Sequence, residues 1–290
     1  MRGFSLAEVG GGGPPLPSAR GLRLVDSHCH LQADRFDDDL DEVIAAAREA
    51  GVERILVPGW NAWSSAAALA LVERFDWLDA AVGVHPHDAA SVDDDAWGEI
   101  ARSANDPRVV AIGETGLDYD RVFSPILAQL SNLRRNLVLA AETGKPAILH
   151  CRSRAGEREA QDALLGELRA FGADVPSVVI HSFSGPVDYA EAMLELGATI
   201  SVSGLAFRTG EEATADVVRR LPADRLLVET DSPFLSPPGA PRGRNAPEWV
   251  RVTAAWVTDL RGDEQDAAGG ALVSAYDRMF RTRTVADHVA

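Results

Sequence analysis

From residue 22 onward, short runs rich in β-branched and aliphatic residues alternate with longer stretches whose apolar residues recur every three or four positions. The short runs lie at 23–28, 54–58, 80–85, 109–114, 147–151, 177–181, 198–203 and 225–230 and read as strands. In DDDLDEVIAAAREAG, at 37–51, Leu40, Val43, Ile44 and Ala47 share one helical face and Gly51 closes the end. Further helices are expected at 64–75, 125–143, 157–171, 187–196 and 211–221, with two more near 247–260 and 265–281.

Strands that alternate with helices imply a parallel sheet, because parallel neighbours need crossover connections. Eight such units in about 250 residues fit a closed (β/α)8 TIM barrel better than an open doubly wound sheet. The glycine pattern of a dinucleotide fold is also missing after the first strand, where VDSHCH stands instead. The expectation is a single α/β domain over 22–290, with the last two helices completing the outer ring. Residues 1–21 hold five glycines between Gly10 and Gly21 and three prolines, and read as a flexible tail.

Composition narrows the partners. The 290 residues include 28 basic and 44 acidic side chains, a net charge of −16. That balance argues against a broad basic nucleic-acid surface, yet permits a local site that takes phosphate through metal. Two cysteines cannot build a disulfide scaffold, so a reducing, cytoplasmic setting is expected. No apolar run approaches the ~18 residues of a membrane span, and the first 21 residues lack a signal-peptide core. No membrane partner is expected; the oligomeric state stays open, and a monomer would suffice.

The ionisable residues cluster at strand ends. Asp26, His28 and His30 end the first strand, His85 and His87 the third, and Glu114 with Asp118 the fourth. His150 ends the fifth, His181 the sixth, and Glu229 with Asp231 the eighth. Six of the seven histidines are on this list, and in a barrel all these ends open onto one face. His28 and His30, two apart on a strand, point the same way, while Cys29 points toward the helices. Cys29 and Cys151 read as buried thiols, and Asp26 as either a partner behind the site or a buried acceptor. Imidazoles and carboxylates without thiolates suit Zn, Mn, Co or Mg. His28, His30, Glu114, His150, His181 and Asp231 are too many ligands for one tetrahedral ion. Two divalent ions sharing a bridging carboxylate would use them all, a geometry for hydrolysing phosphoesters, esters or amides. The single lysine, Lys145, precedes the fifth strand at the far end of the barrel, which leaves Glu114 as the bridge.

The motifs DSHCHL at 26–31, GVHPH at 83–87, GETGLDY at 113–119, HCR at 150–152, HSFSG at 181–185, ETDSPFLSPPG at 229–239 and RGRNAP at 242–247 occur in unbroken order. Together they resemble the TatD-type metal-dependent deoxyribonucleases, which are (β/α)8 barrels of the amidohydrolase group. The resemblance implies that His28, His30, Glu114, His150, His181 and Asp231 are the metal-binding positions and that Asp231 also serves as base. It sets His85 beside the site, where it contacts substrate phosphate. The Gly/Pro-rich leader and the use of arginine in place of lysine depart from the pattern without touching the site.

Other residues carry two readings each. Arg152 reads as a phosphate contact or a surface arginine. Arg242, Arg244 and Asn245 contact substrate or form a loop held by its own polar groups. Tyr119 and Phe183 read as packing before base stacking, His288 as solvated, and the acids 37–39 as partners of a helix dipole. Three functions compete: a nuclease on DNA ends or single strands, a binuclear hydrolase of small esters, lactones or amides, and a non-catalytic metal scaffold. Retention of both Glu114 and Asp231 speaks against the scaffold.

Overall fold

A computed structural model describes residues 22–281 except 175, 176 and 242. The expected tail at 1–21, Arg242 and His288 therefore lie outside the described residues. Eight parallel strands each pair with their sequence neighbours, in the order β1 to β8. They are β1 (Leu24–Asp26), β2 (Val52–Pro58), β3 (Leu78–Val82), β4 (Val109–Asp118), β5 (Ala147–Arg152), β6 (Val178–Ile180), β7 (Thr199–Val202) and β8 (Leu226–Val228). Around them run α1 (Leu40–Glu49), α2 (Ala62–Arg74), α3 (Asp94–Ser103), α4 (Ile126–Thr143), α5 (Glu159–Phe171), α6 (Val187–Glu195), α7 (Ala213–Arg220), α8 (Val250–Arg261) and α9 (Gln265–Phe280). This is the (β/α)8 barrel that the alternation implies, in one domain.

The strands are almost wholly apolar because both of their faces are covered, one by the barrel interior and one by helices. The seam between β1 and β8 closes through side chains as well as backbone. Ser27 N donates to the Val228 carbonyl at 3.0 Å. Asp26 accepts from Thr230 N at 2.9 Å and Thr230 Oγ1 at 2.6 Å. Asp26 is thus a buried acceptor that locks first strand to last. Above it, Asp231 N donates to His28 O at 2.9 Å and His30 N to Ser232 O at 2.8 Å, so the two ligand-bearing segments hold each other in register.

Three details differ from the sequence reading. β1 stops at Asp26, so His28 and His30 stand on the segment beyond the strand. β4 runs on to Asp118 and carries Glu114 within it. At Gly116 a Cβ would collide with the His150 carbonyl, so only glycine lets β4 approach β5 this closely. The third difference is α3, which periodicity did not reveal: of its ten residues only Ile100 is buried, and Gly98 interrupts it. Its apolar face is too thin to register as a stripe.

Candidate active site

Glu114 stands at the centre of the barrel mouth, 3% exposed, with five histidines around its carboxylate. Its two oxygens face different groups. Oε2 lies 3.2 Å from His28 Nε2 and 3.5 Å from His30 Nε2. Oε1 lies 2.9 Å from His181 Nε2, 3.1 Å from His150 Nδ1 and 3.3 Å from His85 Nε2. Asp231 belongs to the Oε2 side, its Oδ1 being 3.4 Å from His30 Nε2 and 3.8 Å from His28 Nε2. Burial pushes the Glu114 carboxyl up, but His181, His85 and His28 outweigh it and hold the group well below the usual carboxylate range. Asp231 follows the same balance: burial raises it, and His30, His181 and His28 bring it below its ordinary value.

The outer nitrogens decide what each ring offers inward. His181 Nδ1 faces Glu229 Oε1 at 3.1 Å while Nε2 is turned to Glu114, and the two carboxylates outweigh burial and raise the ring well above its ordinary value. Glu229 also accepts from Ser182 N at 2.6 Å, which fixes the carboxylate. His150 Nε2 stands 3.5 Å from Asp118 Oδ2, leaving Nδ1 directed at Glu114 and at His181 Nε2, 3.3 Å away. Asp118 is held in turn by His87 Nε2 at 2.7 Å and by the Asp120 and Arg121 amides. His28 Nε2 and His30 Nε2 face one another at 3.2 Å, and their Nδ1 atoms are buried without hydrogen-bond partners. Imidazole nitrogens and carboxylate oxygens therefore converge at about 3 Å, where a cation could take the place of the protons between them. The donor chemistry fits divalent metal. Three sets of close donors occur among the described residues: His28, His30 and Glu114; His28, His181 and Asp231; and His85, Glu114 and His150.

His85 differs from the others. Its Nδ1 accepts from His87 N at 3.1 Å, so the ring proton is on Nε2 and is donated to Glu114. Burial drives the ring down to about 4, and it is neutral near pH 7. His85 is thereby a hydrogen-bond donor that braces Glu114 rather than a source of a lone pair.

Of the arginines considered from sequence, Arg152 is on the mouth side with Nε on Asp120 Oδ2 at 2.8 Å. Arg244 donates to Asp39 Oδ1 at 2.5 Å and lies over the Phe36 ring, so it is engaged in holding its own loop. Asn245, buried, donates to the carbonyls of Thr230 and Phe234 and also acts within the loop. Phe183 is buried against Tyr189, as packing requires. Cys29 turns away from the mouth, its Sγ 2.9 Å from Ser232 Oγ, and Cys151 is likewise buried and free. Sequence reasoning gave no role to His87 or Asp118 and left Glu229 only as a neighbour of Asp231. Parity was the available signal for Glu229, since it precedes Asp231 by two. The His87–Asp118 contact joins residues 31 apart and has no local signature.

The sequence and the fold both have relatives among known proteins. The sequence model of a family described as TatD related DNase matches residues 25–281. A protein named 3'-5' ssDNA/RNA exonuclease TatD from Erwinia billingiae is 35% identical over 267 residues, covering 89% of this chain and 99% of the relative. YabD of Bacillus subtilis, named an uncharacterized metal-dependent hydrolase, is 33% identical over 258 residues, with 89% and 99% covered. The crystal structure of YJJV, a TatD homolog from Escherichia coli K12, superposes with a TM-score of 0.82 at 31% identity, covering 90% of this chain and 99% of that one.

Proposed function

The chain belongs to the TatD related DNase family of metal-dependent hydrolases, and from that premise we propose that its barrel mouth is a two-metal exonuclease site for single-stranded DNA. The observation that carries the reading is the division of Glu114, whose Oε2 serves the His28, His30 and Asp231 side while Oε1 serves His150 and His181. Two divalent ions, drawn from Zn, Mn, Co and Mg, suit these six residues, with Glu114 as the shared ligand. Such ions supply Lewis-acid activation of water and neutralise charge on the reacting phosphate. The 3'-5' direction and the tolerance of RNA come from the names of relatives.

The chain's own residues have distinct tasks in this reading. Asp231, 13% exposed at its side chain and the ligand-set carboxylate nearest solvent, accepts the proton of the attacking water. Attack forms the new phosphorus–oxygen bond, and the bond to one ester oxygen breaks, that sugar oxygen leaving as a hydroxyl with a proton taken from solvent. Glu229 and Asp118 fix His181 and His150, while His85 steadies Glu114 and stands within reach of a substrate phosphate. Arg152 would turn toward phosphate from its ion pair with the partly exposed Asp120, and Arg244 would first have to leave Asp39.

No helix among the described residues is long and apolar enough to cross a membrane. A cytoplasmic setting is our reading of the two free cysteines. The decisive test measures bound metal in the purified protein, then compares end-labelled single-stranded DNA with a panel of small esters, lactones and amides, with and without chelator. Chelator-sensitive loss of nucleotides from the strand is expected. Turnover of the small substrates alone would overturn the nuclease reading.

A further inference from the structure

Three aromatic side chains are exposed among the described residues: Trp63 at 63%, Phe123 at 69% and Phe234 at 49%. All three follow strand ends at the mouth, Trp63 in the first turn of α2 after β2, and Phe123 and Phe234 in the loops after β4 and β8. Each also connects by ring contact to the histidines around Glu114. Phe234 lies 6.0 Å, centroid to centroid, from His30, whose other side meets Trp60 at 5.2 Å. Trp60 in turn meets Trp63 at 6.0 Å. On the opposite pole Phe123 stands 4.7 Å from His87, which touches His85 at 4.2 Å. The rings thus divide as the Glu114 carboxylate does, one group beyond Oε2 and one beyond Oε1.

The backbone beside these rings is strained. Val122 has φ 50° and Leu235 φ 47°, both in the left-handed region that a branched side chain rarely adopts. One immediately precedes Phe123 and the other immediately follows Phe234. Chain that simply needed to bury a phenyl ring would not hold a costly conformation to keep it in water. The rings are separate rather than one patch, so each offers the area of a single flat partner. Arg35, 5.7 Å above the Phe234 ring, brings a cation to that position.

We infer that the mouth carries two base-stacking stations, Phe123 on one pole and Phe234 with Trp60 on the other, which receive the unpaired nucleobases flanking the scissile phosphodiester. This rests on the nuclease reading and adds the determinant of its substrate: every base has a π-face, so the stations are tolerant of sequence but require bases free of a duplex. They also compensate for the shortage of cationic groups on a chain of net charge −16.

The test uses the metal-loaded enzyme with Phe123→Ala and Phe234→Ala, both at exposed positions. Each variant should lose on the order of tenfold in kcat/KM on a short single strand. Turnover of a sugar phosphate methyl ester, a small diester with no aromatic ring, should stay at the wild-type level. Oligonucleotides with one abasic sugar, moved stepwise from the cleaved end, supply the second arm. At the matching position the wild type should fall to the variant's rate, with no further fall in the variant, closing a double-mutant cycle. Wild-type rates on intact strands in both variants would overturn the stations, as would equal losses on the strand and the small ester. A wild type that turns over the ester but no polynucleotide would overturn the nuclease reading itself, and the stations with it.

Discussion

The base and the mouth of this barrel use their buried ionisable groups in opposite ways. At the base, Asp79 of β3 is 3% exposed and fully engaged: Tyr276 Oη donates to it at 2.9 Å and Arg281 Nη2 at 3.1 Å. Lys145 Nζ donates to the carbonyls of Ala104 at 2.5 Å and Asp106 at 3.0 Å. At the mouth, five imidazoles surround one carboxylate, and the Nδ1 atoms of His28 and His30 are buried without a partner. The four non-glycine residues with positive φ among those described, Val122, Ser182, Asp231 and Leu235, are all at the mouth as well. Unpartnered buried atoms also occur elsewhere, as at Thr199 and Thr214, at a cost of about 1–3 kcal/mol each, but at the mouth imidazoles crowd around one carboxylate, and that convergence marks a place kept for something other than stability. Charge at the base ties elements together. At the mouth it awaits cations and substrate.

The sharpest way to break this contrast is to remove the group on which the mouth converges. Glu114→Ala should lose most bound metal and reduce activity on the order of 10³-fold or more, while the fold survives. Added divalent metal should raise the Tm of chelated wild type and leave that of the variant nearly unchanged. A well-folded variant with full metal content would contradict the bridging role.

Asp231→Asn asks a narrower question, because the amide keeps the shape but cannot take a proton. At least one metal should be retained, with activity falling by roughly 10²-fold, the scale of a lost general base. Near-normal turnover would move the base elsewhere. His85 is the next nearest candidate, although its ring is already committed to Glu114.

The base should respond the other way. Asp79→Ala leaves the buried Tyr276 hydroxyl and the half-buried Arg281 without their shared acceptor, at a cost of about 3 kcal/mol. A lower urea midpoint with unchanged kcat is the expected result, and Asp79→Asn should recover part of the loss because its amide oxygen still accepts. A large fall in kcat at full folding would show that the two ends are coupled.

The sequence made the architecture and the converging residues readable for one physical reason: strand ends are fixed by hydrophobic runs, and in a barrel every strand end has the same destination. His150 and His181 follow directly from where β5 and β6 end. What stayed hidden depends on contacts between distant segments. Nothing local says that Glu229 grips His181, that Asp118 joins His87 to His150, or that His85 donates rather than accepts. The exposed rings escaped for a related reason: Tyr119 and Phe183 carry the same chemistry as Phe123 and Phe234, and only the turn geometry decides which pair faces solvent. α3 was missed because a helix that buries one side chain leaves almost no periodic trace.

The finest distinction between the two ends is electrostatic and should appear in the salt dependence of binding. The net charge is −16, and two of the mouth arginines already have carboxylate partners, Arg152 in Asp120 and Arg244 in Asp39. Few phosphates of a bound strand can therefore be neutralised by side chains, and those must lie close to the metals. Each neutralised phosphate contributes roughly −0.7 to the slope of log affinity against log salt for a single strand. With two or three such contacts the slope should be no steeper than about −2, where a protein following the backbone over many phosphates would reach about −5 or beyond. The same scarcity favours entry by a free end, which brings fewer phosphates against the acidic outer surface than a strand lying across it. Binding of a short oligonucleotide to the Asp231→Asn protein across monovalent salt, at fixed divalent metal, gives the slope. Cleavage of linear beside circular single strands by the wild type gives the geometry. A steep slope, or equal cleavage of circles, would mean that an extended cationic track crosses the mouth and that substrate is held by charge rather than by the rings and metals of the site.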